Sequence, residues 1–330
     1  MTKEEIIAFL EGVDDLWLFA LAQARRTETF GTDIYLRGIV EFSSVCRCQC
    51  NYCGLRAPNA EIHRYQLTED EILDAVDELA SLNLPTVVLQ GGEDPSYDVA
   101  TIGRIVRTVK ARHHMAVTLS LGERGREAFS HWRDCGADRY LLKMETMDRS
   151  IYTTLRPGCD FDARLAGVRT LQALGYEAGS GMITGLPGMT IESLADDILA
   201  VTALDLDMIS AGPFVPHPQT PFGAEAGGDP QLALRTMALL RLLNPKVNIP
   251  ATSALETVRA EGRKQGIDAG ANVLMFSVTP AAVRKNYAIY PGKNQEPQTA
   301  FQTVENAREL IRSMGLVPSM SLGGSKVARG

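Results

Sequence analysis

Four of the chain's six cysteines, Cys46, Cys48, Cys50 and Cys53, fall within eight positions, in the segment EFSSVCRCQCNYCGLR that ends at Arg56. Such clustering points to metal or redox chemistry rather than to disulfide staples. Cys46, Cys50 and Cys53 have the spacing C-x₃-C-x₂-C, which lets one compact loop wrap three corners of an iron–sulfur cubane. Four thiolates would close such a cluster, as in electron-transfer ferredoxins. Three leave one iron open to a ligand, much as a catalytic zinc keeps one open position. Gly54, just after the last cysteine, permits close backbone approach. A zinc knuckle needs a second Cys/His pair of matching spacing, and none appears downstream. Cys48 is out of register and reads as a bystander or an alternative ligand. Cys135 and Cys159 read as small buried residues.

Short apolar runs alternate with helical patterns around this loop. Eight strands are expected: Ile34–Phe42, Thr86–Gln90, Ala116–Leu121, Arg139–Lys143, Ala178–Thr184, Asp207–Gly212, Val247–Ala251 and Asn272–Phe276. TVVLQ, AVTLSL and ANVLMF have the near-continuous apolar character of buried parallel strands. Between them, Thr68 to Asn83 reads as a helix with a Thr68/Glu71 capping box and one apolar stripe, stopped by Pro85. Phe161–Leu174, Thr190–Leu206 and Asp229–Leu242 follow the same grammar. The pattern predicts an α/β fold, a (β/α)₈ TIM-type barrel over residues 31–330 preceded by an N-terminal helical extension over residues 1–30. An open doubly wound sheet is the rival. In either, functional residues sit where strands run into loops, and the cysteine loop follows the first strand.

The 330 residues are 45% hydrophobic and 22% charged with net charge −7, the composition of a globular protein. No basic block could track a phosphate backbone, so nucleic acid is not expected as a partner. No apolar run approaches the roughly 20 residues of a membrane span. The first residues lack the pattern of a signal peptide, so a cytoplasmic location is expected.

C-x₃-C-x₂-C with an aromatic, Tyr52, before the last cysteine resembles the signature of the radical S-adenosylmethionine (SAM) superfamily. The resemblance implies one [4Fe–4S] cluster whose open iron chelates the methionine amine and carboxylate of SAM. An external electron donor such as flavodoxin or ferredoxin then drives cleavage to a 5′-deoxyadenosyl radical that abstracts hydrogen from a small-molecule substrate. The motifs that follow fit that order. Gln90-Gly-Gly-Glu-Asp94 resembles the segment that binds the methionine ammonium, through Gly91, Gly92 and Glu93. Thr118 and Ser120, two apart on the third strand, share a face and as buried hydroxyls need partners. Arg139, Lys143 and Glu145 share a face at the fourth strand, where a zwitterionic ligand would pair them. The resemblance makes Glu145 a ribose or methionine contact, Arg164 a carboxylate clamp, and the stretch from Gly179 to Thr190, with Met182 and Gly185, the adenine and ribose wall.

Over roughly residues 30 to 325 the segments EFSSVCRCQCNYCGLR, LQGGEDPSYD, GADRYLLKMET, GPFVPHPQTP, NIPATSALE and YPGK resemble the HydE-type [FeFe]-hydrogenase maturase group, with methylornithine synthase and biotin synthase as cousins. Several positions depart from that group: no cysteine follows YPGK, Gly91 replaces a serine, Lys143-Met144 replaces Arg-His, and Thr252-Ser253 replaces paired threonines. The first implies a single cluster. The others alter what the resemblance makes the substrate wall, where Met144 removes a titratable group and Lys143 loses bidentate geometry. The residues expected near substrate are Arg139, as a carboxylate holder, Thr252, Met275 and Tyr287, which closes the cavity or stabilises a radical. The expected reaction is fragmentation or rearrangement of an amino-acid-like substrate. A HydE-type maturase and a non-catalytic electron carrier are the alternatives.

Overall fold

The computed structural model describes residues 1–295 and 297–328. Its centre is a ring of parallel strands: β1 (Asp33–Ser43), β2 (Thr86–Gly91), β3 (Ala116–Ser120), β4 (Arg139–Leu141), β5 (Glu177–Thr184), β6 (Met208–Pro213), β7 (Pro250–Ala251) and β8 (Val273–Ser277). They pair in the order β6-β5-β4-β3-β2-β1-β8-β7, and a bridge between Met208 and Asn248 joins the two ends. The expected barrel is therefore the observed fold. The capping box predicted at Thr68 is present, with Glu71 returning a carboxylate to the Thr68 N–H at 2.7 Å, on the helix Glu69–Ser81. The helices Lys3–Glu11 and Asp15–Phe30 precede the barrel. The buried face of the second packs on the helix Pro230–Leu243, and Arg235 pairs with Asp15 at 2.7 Å.

A ninth strand, β9 (Val317–Ser319), adds to the start of β1, and the chain after it seals the N-terminal end of the barrel. There the Gly323 carbonyl accepts from Arg37 Nη2 and Asn248 Nδ2, both at 3.0 Å. The Leu322 carbonyl accepts from Arg139 Nη2 at 2.8 Å and from the Thr86 hydroxyl at 3.1 Å. Two residues further along β1 and β4, Ile39 and Leu141 join Val88 and Met208 in an apolar layer, with Met275 packed against it. That layer separates the sealed end from the open one.

This layering corrects two expectations. Arg139 faces the barrel interior, but beneath the apolar layer, where its Nε meets Glu177 at 2.5 Å. It is not positioned to hold a substrate carboxylate. Thr118 pairs in register with Val88 and Arg139, does not line the cavity above the layer, and has its hydroxyl buried with no partner among the described residues. A period of two gives each residue its face but not its level along the barrel, and neither lines the cavity.

Removing one partner of a buried ion pair leaves the other without compensation. Glu177 is partly exposed, which moderates the loss. Arg139→Ala is therefore expected to cost about 2 kcal/mol of stability, read as a lower Tm, while activity at temperatures well below Tm is retained. Lost turnover at unchanged Tm would return Arg139 to the site.

Candidate active site

At the open end, a cavity of about 320 Å³ lies above the apolar layer. Cys46, Cys50 and Cys53 line it, and so does Cys48. The loop that carries them leaves β1 at an irregular step in its register with β2, between Glu41 and Ser43. Such a step redirects a chain at a barrel rim. The loop is then held on several sides. Its Gly54 N–H donates to the Ile289 carbonyl at 2.9 Å, and a Cβ on Gly54 would lie 2.2 Å from the Ala288 carbonyl. Arg64 donates to the Ser44, Leu55, Arg56 and Asn59 carbonyls. The Asn51 N–H donates to the Leu155 carbonyl at 2.9 Å.

Of the two glycines in the Gln90-Gly-Gly-Glu turn, Gly92 has a steric cause, whereas a Cβ on Gly91 would meet Phe42 only at 3.4 Å. A Cβ on Gly92 would stand 2.1 Å from the Val45 carbonyl oxygen, so this turn fits the cysteine loop only as glycine. Asp94 anchors the turn by accepting from the Ser43 hydroxyl at 2.6 Å and from Gln66 at 2.7 Å. Between them Glu93 is buried, and its N–H points at Cys46 Sγ at 3.4 Å. Gly122, at φ +71°, makes room for it, because a Cβ there would fall 2.0 Å from Glu93 Cγ. Burial pushes the Glu93 carboxyl up, but Arg164 and Arg156, each 3.5 Å away, outweigh it and hold it below the ordinary value. Arg164 also meets Glu123 at 2.7 Å and donates to the Lys143 carbonyl at 2.6 Å.

Glu145 has φ +70°, unusual for a residue with a side chain and a mark of functional sites. It lies beyond the end of β4 and is held there by bridging to Met182 of β5, and its Oε1 accepts from the Tyr52 hydroxyl at 3.2 Å. Ser210, Thr252 and Tyr287 also line the cavity. The Tyr287 oxygen accepts from Gln90 Nε2 at 3.1 Å, and burial raises its phenol well above the ordinary value.

Of the residues expected at the site, Tyr52, Gly91, Gly92, Glu93, Ser120, Lys143, Glu145, Arg164, Met182, Thr252, Met275 and Tyr287 line the cavity with the three cysteines. Gly185 does not: its φ of +74° and the Gly228 Cα, 2.6 Å from where a Cβ would be, account for it. Met144 is fully buried in the core outside the cavity, so the expected alteration of the ligand face at that position does not occur. Sequence reasoning missed Arg156, Glu123, Ser210 and the Glu41–Lys293 pair. Glu41, wholly buried, accepts from Ser277 and Thr279, meets Lys293 Nζ at 3.4 Å and accepts from Asn294 at 3.1 Å. This pair straps the YPGK loop across the rim, where Tyr290 bonds Ser253 at 2.7 Å. Only a buried acid at the end of β1 and a lone lysine far along the chain signal it.

The chain belongs to the radical SAM superfamily. It matches the family model described as "Radical SAM superfamily" over residues 40–201 and the "Biotin and Thiamin Synthesis associated domain" over residues 212–317. It is 43% identical over 309 residues to the [FeFe] hydrogenase maturase subunit HydE of Thermotoga maritima, covering 94% of this chain and 88% of that one. It is 30% identical to 3-methylornithine synthase of Methanosarcina barkeri, covering 92% of this chain and 85% of that one. The crystal structure of methylornithine synthase (PylB) superposes with TM-score 0.86 at 28% identity, over 96% of this chain and 94% of that one. The maturase HydG, 19% identical with TM-score 0.81, shares the fold.

Membership implies a [4Fe–4S] cluster and SAM. The residues present fit both. Among the described residues no three His, Cys, Asp or Glu side chains gather as a single-ion site, whereas a cubane needs thiols facing a wider common volume. Around the same cavity the buried Arg156 Nε, Ser210 Oγ and Thr252 Oγ1 have no partner among the described residues, as a polar ligand would require.

Two outcomes follow. Gly122→Ala combines a left-handed φ with a collision against Glu93, and is expected to lower Tm and weaken SAM binding by about tenfold, read by equilibrium binding. Unchanged affinity would show that Glu93 need not be where it is. Asp197 supports the turn after Glu145, accepting from Thr146 Oγ1 at 2.8 Å and the Met147 N–H at 2.7 Å. Burial raises it to about 6. Because the folded chain favours its protonated form, that contribution is full below the unfolded value near 4 and is lost as pH rises through about 6. In urea unfolding, Asp197→Asn should gain stability relative to wild type from pH 4 to pH 7; a pH-independent difference would contradict this.

Proposed function

We propose that the protein is a HydE-type maturase, a radical SAM enzyme serving [FeFe]-hydrogenase assembly by acting on a small molecule held in the barrel cavity. The 43% identity to HydE, over nearly all of both chains, carries this reading. The position of Met144 outside the cavity supports it, since it removes one of the differences that argued for another substrate.

In this reading Cys46, Cys50 and Cys53 hold one [4Fe–4S] cluster, which when bound supplies the open iron and the electron for reductive cleavage of SAM. An external donor such as ferredoxin or flavodoxin delivers that electron. Glu93 and the backbone of Gly91 and Gly92 receive the methionine ammonium. Arg164, released in part from Glu123, takes the carboxylate. Glu145, oriented by Tyr52, takes the ribose hydroxyls, and Met182 backs the adenine; Ser120 completes that wall. Beyond them Lys143, Ser210 and Thr252 give the substrate end one cation and two hydroxyls above an apolar floor. That suits a small molecule with an anionic group. Tyr287 and the YPGK strap exclude water there.

The superposition on methylornithine synthase favours a second reading, rearrangement of an amino-acid substrate in the same cavity. Co-expression separates them. Supplied in place of HydE beside an [FeFe]-hydrogenase and the remaining maturases, the protein is expected to yield hydrogen-evolving enzyme, and its Cys50→Ala variant none. Absence of hydrogenase activity, with 5′-deoxyadenosine still formed by the purified protein, would overturn the maturase assignment.

A further inference from the structure

The cysteine loop is packed on several sides and open on one. Residues 288–289 lie against Gly54, the Leu155 and Thr154 carbonyls take Asn51, and the Phe222 N–H donates to the Asn51 carbonyl at 3.0 Å. The open side carries Arg47 and Gln49, both exposed, beside the part-exposed Cys46. A recess of about 390 Å³ adjoins it, lined in part by Arg47, Glu123, Arg124, Gly125, Ala163 and Gly167. The last two sit four apart on one face of the helix Phe161–Ala173, and their small side chains leave the recess open.

The recess is basic on a chain of net charge −7. The Arg47 side chain is more than half exposed, and its guanidinium meets Glu93 at 3.4 Å and the Glu123 carbonyl at 3.5 Å. Arg124 donates from Nη2 to the Asp94 carbonyl at 2.7 Å and has no partner for Nε among the described residues. Arg126, exposed, follows at the start of the helix Arg126–Asp134, with exposed Glu127 as the acid beside it. The Glu123 carboxylate is taken by Arg164 at 2.7 Å. We infer that this face is the docking surface for the electron donor, a small acidic electron-carrier protein that seats a surface carboxylate between Arg47 and Arg124. The inference rests on the assignment of Cys46, Cys50 and Cys53 to a cluster that an external donor reduces. Local positive charge steers an acidic partner to this side of the loop, while the acidic remainder of the chain repels it. The carrier gives one electron to the cluster and leaves oxidised by one electron, with no atom exchanged.

The test mixes cluster-loaded protein anaerobically with reduced ferredoxin and, separately, with reduced flavodoxin, and follows cluster reduction by stopped-flow absorbance; dithionite is the small-molecule control. Arg126→Glu and Arg47→Gln, compared with wild type at equal iron content, are expected to slow reduction by a carrier protein about fivefold or more at low ionic strength. The loss should shrink in about 0.5 M salt, where screening removes the steering. Reduction by dithionite should be unchanged. Arg312→Glu makes the same charge change as Arg126→Glu near the sealed end of the barrel, just before β9, and should have no effect. Carrier rates equal to wild type in both recess variants, an equal loss in Arg312→Glu, or no reduction by either carrier while dithionite succeeds would overturn the docking surface. A cluster that dithionite also fails to reduce would instead overturn the cluster assignment beneath it.

Discussion

A carboxylate that is buried must be paired, and much of the open end of this barrel is arranged to pair Glu93. Two arginines from the segment after β4 converge on it, and their combined attraction overcomes its desolvation. Gly122 is bare so that the carboxylate can lie where it does, and Gly92 is bare so that its turn can reach the cysteine loop. Through its own N–H, Glu93 touches the first of the three thiols. The positions of the cysteine loop, the Gly91-Gly92 turn and the arginine pair are thus one constraint. Moving any of them leaves a buried charge without its partner.

The barrel below supplies the rigidity that this arrangement needs. The apolar layer of Ile39, Val88, Leu141 and Met208 closes the cavity floor, and the C-terminal segment closes the barrel end beneath it with carbonyls offered to Arg37 and Arg139. Arg37 is fully buried there; burial and the neighbouring Arg139 push it down to about 9. The mouth is held by a second buried pair, Glu41 and Lys293, which binds the end of β1 to a loop some 250 positions later in the chain. Charges inside this barrel are structural at both ends, and the cavity between uses what they position.

Local rules made most of the architecture legible. Strands read from apolar runs agree with the observed ones to within a few residues for all but β7, which keeps two residues of the five expected, and the Thr68 capping box is where the residues imply. The cysteine spacing, the glycines of the second turn and the Lys143/Glu145 alternation all lead to the cavity. Depth was not legible. A period of two assigns a face to Arg139 and Thr118 but says nothing of which layer they occupy. Met144 and Lys143 are neighbours in sequence and on opposite sides of the wall. β9 was missed because three residues on an edge carry no periodicity, and Arg156 and Lys293 because their partners are distant in sequence.

The central claim is a cluster with one iron left open by the protein. Electron paramagnetic resonance of the dithionite-reduced, reconstituted protein tests it most directly. A [4Fe–4S]⁺ signal whose g-values shift when SAM is added is the predicted result, because SAM then occupies the open iron. A reduced-cluster signal indifferent to SAM, as a fully thiolate-ligated cluster would give, would contradict the account.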